Sequence, residues 1–282
     1  LGVMHIATEA GFALNEKGFL NSDDVQILRL AGLLHDIGHG PFSHLFEEVI
    51  KDKKISHEDY GKKIILNSEI GDVLSKTGFD KKIIAQIAFG ESKFQYLNEI
   101  ISGSLSADMM DYLLRDGYFT GAEHANVDHK RITQSLHIHK KKIALERSAL
   151  YSFESMMHSR YQMFKAVYFH KTVRAAEVML IQALRLSDDE FGFSSFNLDE
   201  FVKLTDEFVL SSIISSKSSK LKRARQLTEN YQNRKLLKCV FERILTSQTN
   251  LKKTRTDELR LELSKKSKID ENEIFVDSSV TP

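Results

Sequence analysis

The stretch Leu33-Leu34-His35-Asp36-Ile37-Gly38-His39-Gly40-Pro41-Phe42-Ser43-His44-Leu45-Phe46-Glu47 decides how the rest of this chain is read. It sets three imidazoles and two carboxylates between positions 35 and 47. The adjacent His35 and Asp36 offer a neutral nitrogen and an anionic oxygen to a divalent metal. Upstream, Val25, Ile27, Leu28, Leu30, Ala31, Leu33 and Leu34 recur at helical spacing behind Asp23 and Asp24, with Ser22 placed to cap. The pair therefore ends a buried helix, where charge is costly unless it is paired or held by a metal. Gly38 and Gly40 break that helix, and Pro41 suits the first turn of another, with an apolar stripe of Phe42, Leu45, Phe46, Val49 and Ile50. His44 and Glu47, three apart, are neighbours on its other face, and the turn brings His39 over the same spot. A metal-dependent hydrolase is the expectation.

Composition limits what surrounds this cluster. Of 282 residues, 41% are hydrophobic, enough for a substantial core, and only Pro41 and Pro282 are prolines. Long runs of Leu, Ile, Lys and Glu then predict an almost wholly helical protein. The net charge of +1 supplies no bulk drive toward nucleic acid or membrane. No apolar run reaches membrane-spanning length, no signal-peptide pattern is present, and the single Cys239 has no partner for an internal disulfide. A reducing cytoplasm is the expected compartment.

Along the chain, Leu1 to Leu14 reads as helix, and Ser56-His57-Glu58-Asp59 as a capping box with His57 in the first helical turn. Leu136 to Glu146 alternates around Lys140-Lys141-Lys142 as a β-hairpin, with His137 and His139 on an exposed face. Tyr151 to Leu186 is strongly helical, Asp188 to Ser195 reads as a loop, and helices follow from Leu198 to about Leu245. Lys217, Lys220, Lys222, Arg223 and Arg225 form a basic run, read as a solvated helix face, with a nucleotide or nucleic-acid contact as the alternative. Lys252 to Lys268 is charged and helical, and Ile274-Phe275-Val276-Asp277 reads as a short strand. A second polar block, Asp108-Met109-Met110-Asp111-Tyr112-Leu113-Leu114-Arg115-Asp116, puts positions 108, 111, 112 and 115 on one helix face. Arg115 and Asp111 are spaced to pair, and Asp116 stands beside Tyr112.

These two blocks resemble the signature of the HD-domain phosphohydrolases, in particular the branch of deoxynucleoside triphosphate triphosphohydrolases that includes the sterile-alpha-motif/HD enzyme and its bacterial and archaeal relatives. A third block, His158-Ser159-Arg160 with Tyr168-Phe169-His170-Lys171, resembles it more weakly. The resemblance implies an all-α HD fold with a small β-hairpin, a core over 1–186, and a helical C-terminal region over 187–282 packed on it. It implies a metal held by His35, Asp36 and Asp108, of the kind Fe, Mn, Co or Zn, with Mg beside it on substrate phosphates. His39, Glu47 and His57 match the family's proton-transfer relay, and His44 matches a histidine that approaches the scissile phosphate. Tyr112 and Asp116 match sugar contacts, Asp116 accepting from the 3′-hydroxyl. Arg160, Tyr168 and Lys171 match positions lining the triphosphate and sugar pocket.

In the family a further metal-binding histidine stands just upstream of a segment like Leu1-Gly2-Val3. His5 is the alternative, but with 3.6 residues per turn it points to another face of the helix. Met109 replaces a cation found in relatives, and Phe164 a histidine found in some. The implied activity is hydrolysis of a deoxynucleoside triphosphate to deoxynucleoside and triphosphate, in a homo-oligomer, dimer or tetramer. The rivals are a phosphatase or phosphodiesterase on another nucleotide and a non-catalytic nucleotide-sensing scaffold.

Overall fold

A computed structural model of the chain describes residues 1–50, 55–242 and 253–277. It is all-α apart from one two-stranded antiparallel hairpin. By compactness the chain forms two units, one of Leu1–Ala166 with Gly192–Val209, the other of Val167–Phe191 with the residues from Leu210 on. The expected boundary at 186 falls inside a continuous helix, Lys171–Phe191.

The first unit is built on α1 (Gly2–Glu16) and α2 (Ser22–Leu34). Val3, Ile6, Ala7, Ala10 and Leu14 form the buried stripe of α1, the spacing that one helical face demands. Gly11 and Gly32 let the two backbones close up. A Cβ on Gly32 would stand 3.2 Å from the Met4 Cα, and one on Gly11 would stand 3.3 Å from Val25. The cap of α2 differs from expectation. Asn21, not Ser22, accepts the Asp24 N–H at 2.9 Å, and the Asp24 carboxylate accepts the Asn21 N–H at 3.0 Å. That reciprocal box needs a three-residue offset to an acidic side chain, which Asn21 has and Ser22 lacks.

After α2 the chain turns through Gly38–Ser43 into α3 (His44–Ile50), so Pro41 precedes the helix rather than opening it. Next come α4 (His57–Asn67), α5 (Glu69–Lys76), α6 (Lys81–Ala88), α7 (Gln95–Ser102) and α8 (Ala107–Thr120). The box at Ser56 is present, its hydroxyl accepting the Asp59 N–H at 3.2 Å. Gly121 ends α8 at φ 68°, the left-handed stop that glycine provides. Following α9 (His129–Gln134), β1 (Leu136–His139) and β2 (Lys142–Leu145) pair around a turn of Lys140 and Lys141, both at positive φ. That is the turn hand a two-residue hairpin requires.

Helix α10 (Leu150–Met163) runs on into a π-helical turn, Phe164–Tyr168. Then follow α11 (Lys171–Phe191), α12 (Leu198–Phe201), α13 (Asp206–Ser215), α14 (Lys222–Gln232) and α15 (Lys253–Ser267). The expected loop at 188 is thus the last turn of α11, giving way to a short 3-10 turn at Phe193–Ser195. Beyond Gln232, residues 235–242 are irregular, and the rest of the expected helix to Leu245 lies outside the described residues, as does Lys252.

In the second unit Met179 and Ala183 of α11 pack on Leu227 of α14, with Tyr231, Leu236 and Leu237 against them. Residues 274–277 are irregular rather than a strand. Side chains hold this part of the chain instead: Arg174 grips the Asp277 carboxylate at 2.7 and 2.8 Å, and just before the segment Arg223 reaches Glu273 at 2.7 Å. Arg225 of the basic run is likewise structural, donating to the Ser216 and Ser218 carbonyls at 2.6 and 2.7 Å. Lys217, Lys220 and Lys222 face solvent.

Candidate active site

His35 caps the C-terminal end of α2, and its ring is 12% exposed. Its Nδ1 donates to the Gly32 carbonyl at 3.0 Å, one turn back, which fixes the tautomer and points the Nε2 lone pair inward. That Nε2 is buried and makes no hydrogen bond among the described residues. Around it stand Asp36 Oδ2 at 3.3 Å and Asp108 Oδ1 at 3.6 Å. Asp108 lies in the first turn of α8, whose Ser106 cap accepts the Met109 N–H at 3.1 Å. A carboxylate is favoured there by the helix dipole.

These spacings fit a metal better than an ion pair. Ligand atoms held about 2.0–2.2 Å from a tetrahedral ion are separated from one another by roughly 3.3–3.6 Å. An orphaned buried ring nitrogen costs about 1–3 kcal/mol, a cost that coordination removes. Without an ion, burial of the His35 ring opposes its charge, yet the Asp108 and Asp36 carboxylates overcome this and raise its pKa to about 9. Burial of Asp36 is likewise overcome by His35 and His39, which hold its carboxyl well below the usual carboxylate range. One nitrogen and two carboxylates form a borderline-hard donor set suited to a divalent ion. His5 does not join this set. Its ring is 67% exposed and faces Glu9 at 3.5 Å on its own helix.

A second grouping adjoins the first through Asp36, whose Oδ1 lies 3.4 Å from His39 Nε2. The His39 ring stacks on His57 with centroids 4.1 Å apart and meets His44 edge-on at 4.7 Å. Nitrogen atoms of these three rings come within 4.8 Å of one another. Glu47 organises them: it accepts the His57 backbone N–H at 2.8 Å and the His57 Nδ1–H, and its other oxygen accepts from His44 Nδ1 at 3.1 Å. Burial alone would push the Glu47 carboxyl up, but its bonds from His57 and His44 bring its pKa down to about 2. Gly38 makes the close approach of α4 feasible, because a Cβ there would stand 2.0 Å from the His57 carbonyl and 2.3 Å from the Gly61 nitrogen.

Tyr112 sits on α8 one turn beyond Asp108. Its hydroxyl pKa is raised by burial, an effect moderated by the Arg160 guanidinium beside it. Asp111 is engaged by Arg115 at 3.0 and 3.2 Å, as the spacing suggested, and Arg115 also stands 3.7 Å from Asp116. Asp108, Tyr112, Asp116 and Arg160 thus belong to one neighbourhood in the first unit. Tyr168 ends the π-helical turn and Lys171 opens α11, both in the second unit, and Lys171 is exposed.

Sequence reasoning missed the supports behind these groups. The Gly32 carbonyl orients His35, and Phe42 and Ser43, between His39 and His44, take φ 58° and 51°. A non-glycine residue in that region costs about 1–2 kcal/mol. No local sequence signal marks either feature, since neither Phe nor Ser favours that conformation.

Two family models divide the chain: the HD domain matches residues 1–116 and the HD associated region residues 127–282. An uncharacterized Bacillus subtilis protein, YwfO, is 36% identical over 64% of this chain and 45% of its own length. A deoxynucleoside triphosphate triphosphohydrolase SAMHD1 homolog from Dictyostelium discoideum is 31% identical over 88% of this chain and 51% of its own. The chain therefore spans about half the length of these relatives. The crystal structure of a phosphohydrolase from Bacteroides thetaiotaomicron superposes with a TM-score of 0.72 at 26% identity, covering 96% of this chain and 71% of that one. With the metal-fitting triad and the imidazole cluster set on these helices, the chain belongs to the HD-domain phosphohydrolase superfamily.

Proposed function

We propose that this protein hydrolyses deoxynucleoside triphosphates to deoxynucleoside and triphosphate. The observation that carries the reading is the sharing of the Asp36 carboxylate between the metal-fitting triad and the three-imidazole cluster. On this reading, phosphoryl activation and proton transfer would occur side by side. A divalent ion bound by His35, Asp36 and Asp108, whether Fe, Mn, Co or Zn, would supply Lewis acidity toward the phosphoryl oxygens. Mg would accompany the substrate phosphates.

The chain's own groups do the rest. Glu47 orients His57 and His44 through their Nδ1 atoms, which leaves both Nε2 atoms to exchange protons with water and with the leaving 5′-oxygen. His44, with a side chain 74% exposed, stands where a leaving group can reach it. His39 presses on both rings and limits their rotation. Tyr112 and Asp116 are proposed to bind the sugar, and Arg160 the phosphates. The choice of a deoxynucleoside triphosphate over another nucleotide is supported by the named activity of the Dictyostelium relative, as is a homo-oligomeric state by the family reading. No helix among the described residues is long and apolar enough to cross a membrane.

Product analysis tests the reading. Each deoxynucleoside triphosphate is incubated with the protein and Mn or Mg, and products are separated by ion-exchange chromatography. Inorganic triphosphate with free deoxynucleoside is the expected pair. Monophosphate with pyrophosphate, or stepwise loss of orthophosphate, would replace this reading with a phosphodiesterase or phosphatase.

A further inference from the structure

The turn between His39 and His44 is one its residues do not favour. Phe42 and Ser43 stand consecutively at φ 58° and 51°, and a bulky residue is the least at home there. Two local bonds close it, Ser43 N–H to the Gly40 carbonyl at 3.0 Å and Leu45 N–H to the Phe42 carbonyl at 3.1 Å. Such bonds do not demand left-handed backbone, so the conformation needs a hold from outside.

That hold comes from the segment 192–209, part of the same compact unit. Asp206, at the start of α13, accepts the Phe42 backbone N–H at 2.9 Å. Its own helix does not need that carboxylate as a cap, because Thr205 Oγ1 already accepts the Phe208 N–H at 3.1 Å. Five residues earlier Phe201 closes the same corner. Its ring stacks on Tyr60 of α4 at 3.8 Å and 4°, and would lie 3.2 Å from a Cβ on Gly40. The segment therefore touches the turn that carries His44 and the helix that carries His57.

We propose that Asp206 is a positioning residue of the active site: by holding the Phe42 N–H it keeps the left-handed Phe42–Ser43 turn, and through it sets His44 against Glu47 and His39. An anionic acceptor suits the task, since a charge-assisted bond is about twice as strong as a neutral one. Without it the turn relaxes toward negative φ, and His44 leaves the Glu47 carboxylate. The kinetic part of this inference rests on the proposed hydrolysis, whereas the ring-placement part does not.

Four variants of the full chain test it: Asp206→Ala, Asp206→Ser, Asp206→Asn, and Asp206→Ala combined with Ser43→Gly. The readouts are kcat and KM for deoxynucleoside triphosphate hydrolysis, and the imidazole ¹H–¹⁵N NMR signals of His44. Asp206→Ala should lower kcat about tenfold, as expected for one lost hydrogen bond to a charged acceptor, with KM little changed. It should also shift the His44 signals. Asp206→Ser, shorter by one atom but well tolerated in a first helical turn, should do the same and decides the matter if the alanine variant does not fold. Asp206→Asn keeps an acceptor but a neutral one, so its kcat and His44 signals should fall between those of wild type and Asp206→Ala. Glycine takes positive φ without penalty, so adding Ser43→Gly should restore the His44 signals and most of kcat. Wild-type His44 signals in both Asp206→Ala and Asp206→Ser, or no recovery with Ser43→Gly, would overturn the role. If the wild type itself does not hydrolyse these substrates, the functional reading fails and the NMR signals alone decide this one.

Discussion

Glu47 holds His57 twice, by the backbone N–H at 2.8 Å and by the ring Nδ1–H. The two bonds lock the ring to the first turn of α4, so the Nε2 side cannot wander. This is the arrangement a general acid–base histidine requires, with an orienting carboxylate on one nitrogen and the other left for the proton. His57→Ala should lower turnover about 10²-fold or more, the scale of a general acid–base group, and leave bound metal at wild-type stoichiometry. An unaltered rate would reduce His57 to an ordinary capping-turn residue.

The same contact makes stability depend on acid. Glu47 has its pKa lowered in the fold from 4.5 to about 2, so the unfolded chain binds its proton first as pH falls. The stabilisation is therefore complete above pH 4.5 and fades as pH drops toward 2. Glu47→Gln has no such proton to take up. Urea midpoints measured across that window should fall more steeply for wild type than for Glu47→Gln, and parallel curves would remove the assigned shift.

Metal retention is expected to depend on the adjacent pair at the end of α2. Asp36→Ala removes one donor and leaves His35 Nε2 with Asp108 alone. Inductively coupled plasma analysis of the purified variant should show bound metal lost, and hydrolysis with it, while circular dichroism keeps its helical form. Metal bound at wild-type stoichiometry in Asp36→Ala would falsify the ligand assignment.

Gly38 has no room for a methyl group against the His57 carbonyl and the Gly61 nitrogen, both of them backbone. Gly38→Ala must push α4 away from the His35–His39 turn. Overpacking of this kind costs about 1–3 kcal/mol, and it should lower the thermal midpoint together with turnover. Gly78→Ala, where a Cβ meets nothing within 4 Å but φ is 86°, is the comparison. It should lower the midpoint through backbone strain and spare turnover.

The candidate site was legible in the sequence where its residues are also near in the chain. His35 and Asp36 are adjacent, His44 and Glu47 are one helical turn apart, and the Ser56–Asp59 box announced the helix that opens with His57. The hairpin was equally legible, because its alternation and its Lys140–Lys141 turn are local patterns. The finer elements failed where a local pattern had two readings. Ser22 and Asn21 are both capping residues, and only the reach to Asp24 chose between them. An apolar run at 274–276 resembled a strand, yet a strand exists only with a partner ladder, and Arg174 and Arg223 fasten the chain on either side of it instead.

What sequence by itself determined, then, was the set of candidate site groups and the helices bearing them, since helix periodicity and capping act over a few residues. Tertiary structure alone decided how they meet: that Asp108 comes to His35, that Gly38 admits the start of α4, and that Asp206 reaches the Phe42 N–H from 164 positions away. Contacts at such separation come from the packing of whole helices, whose closest approaches depend on glycines and backbone angles that no local pattern encodes.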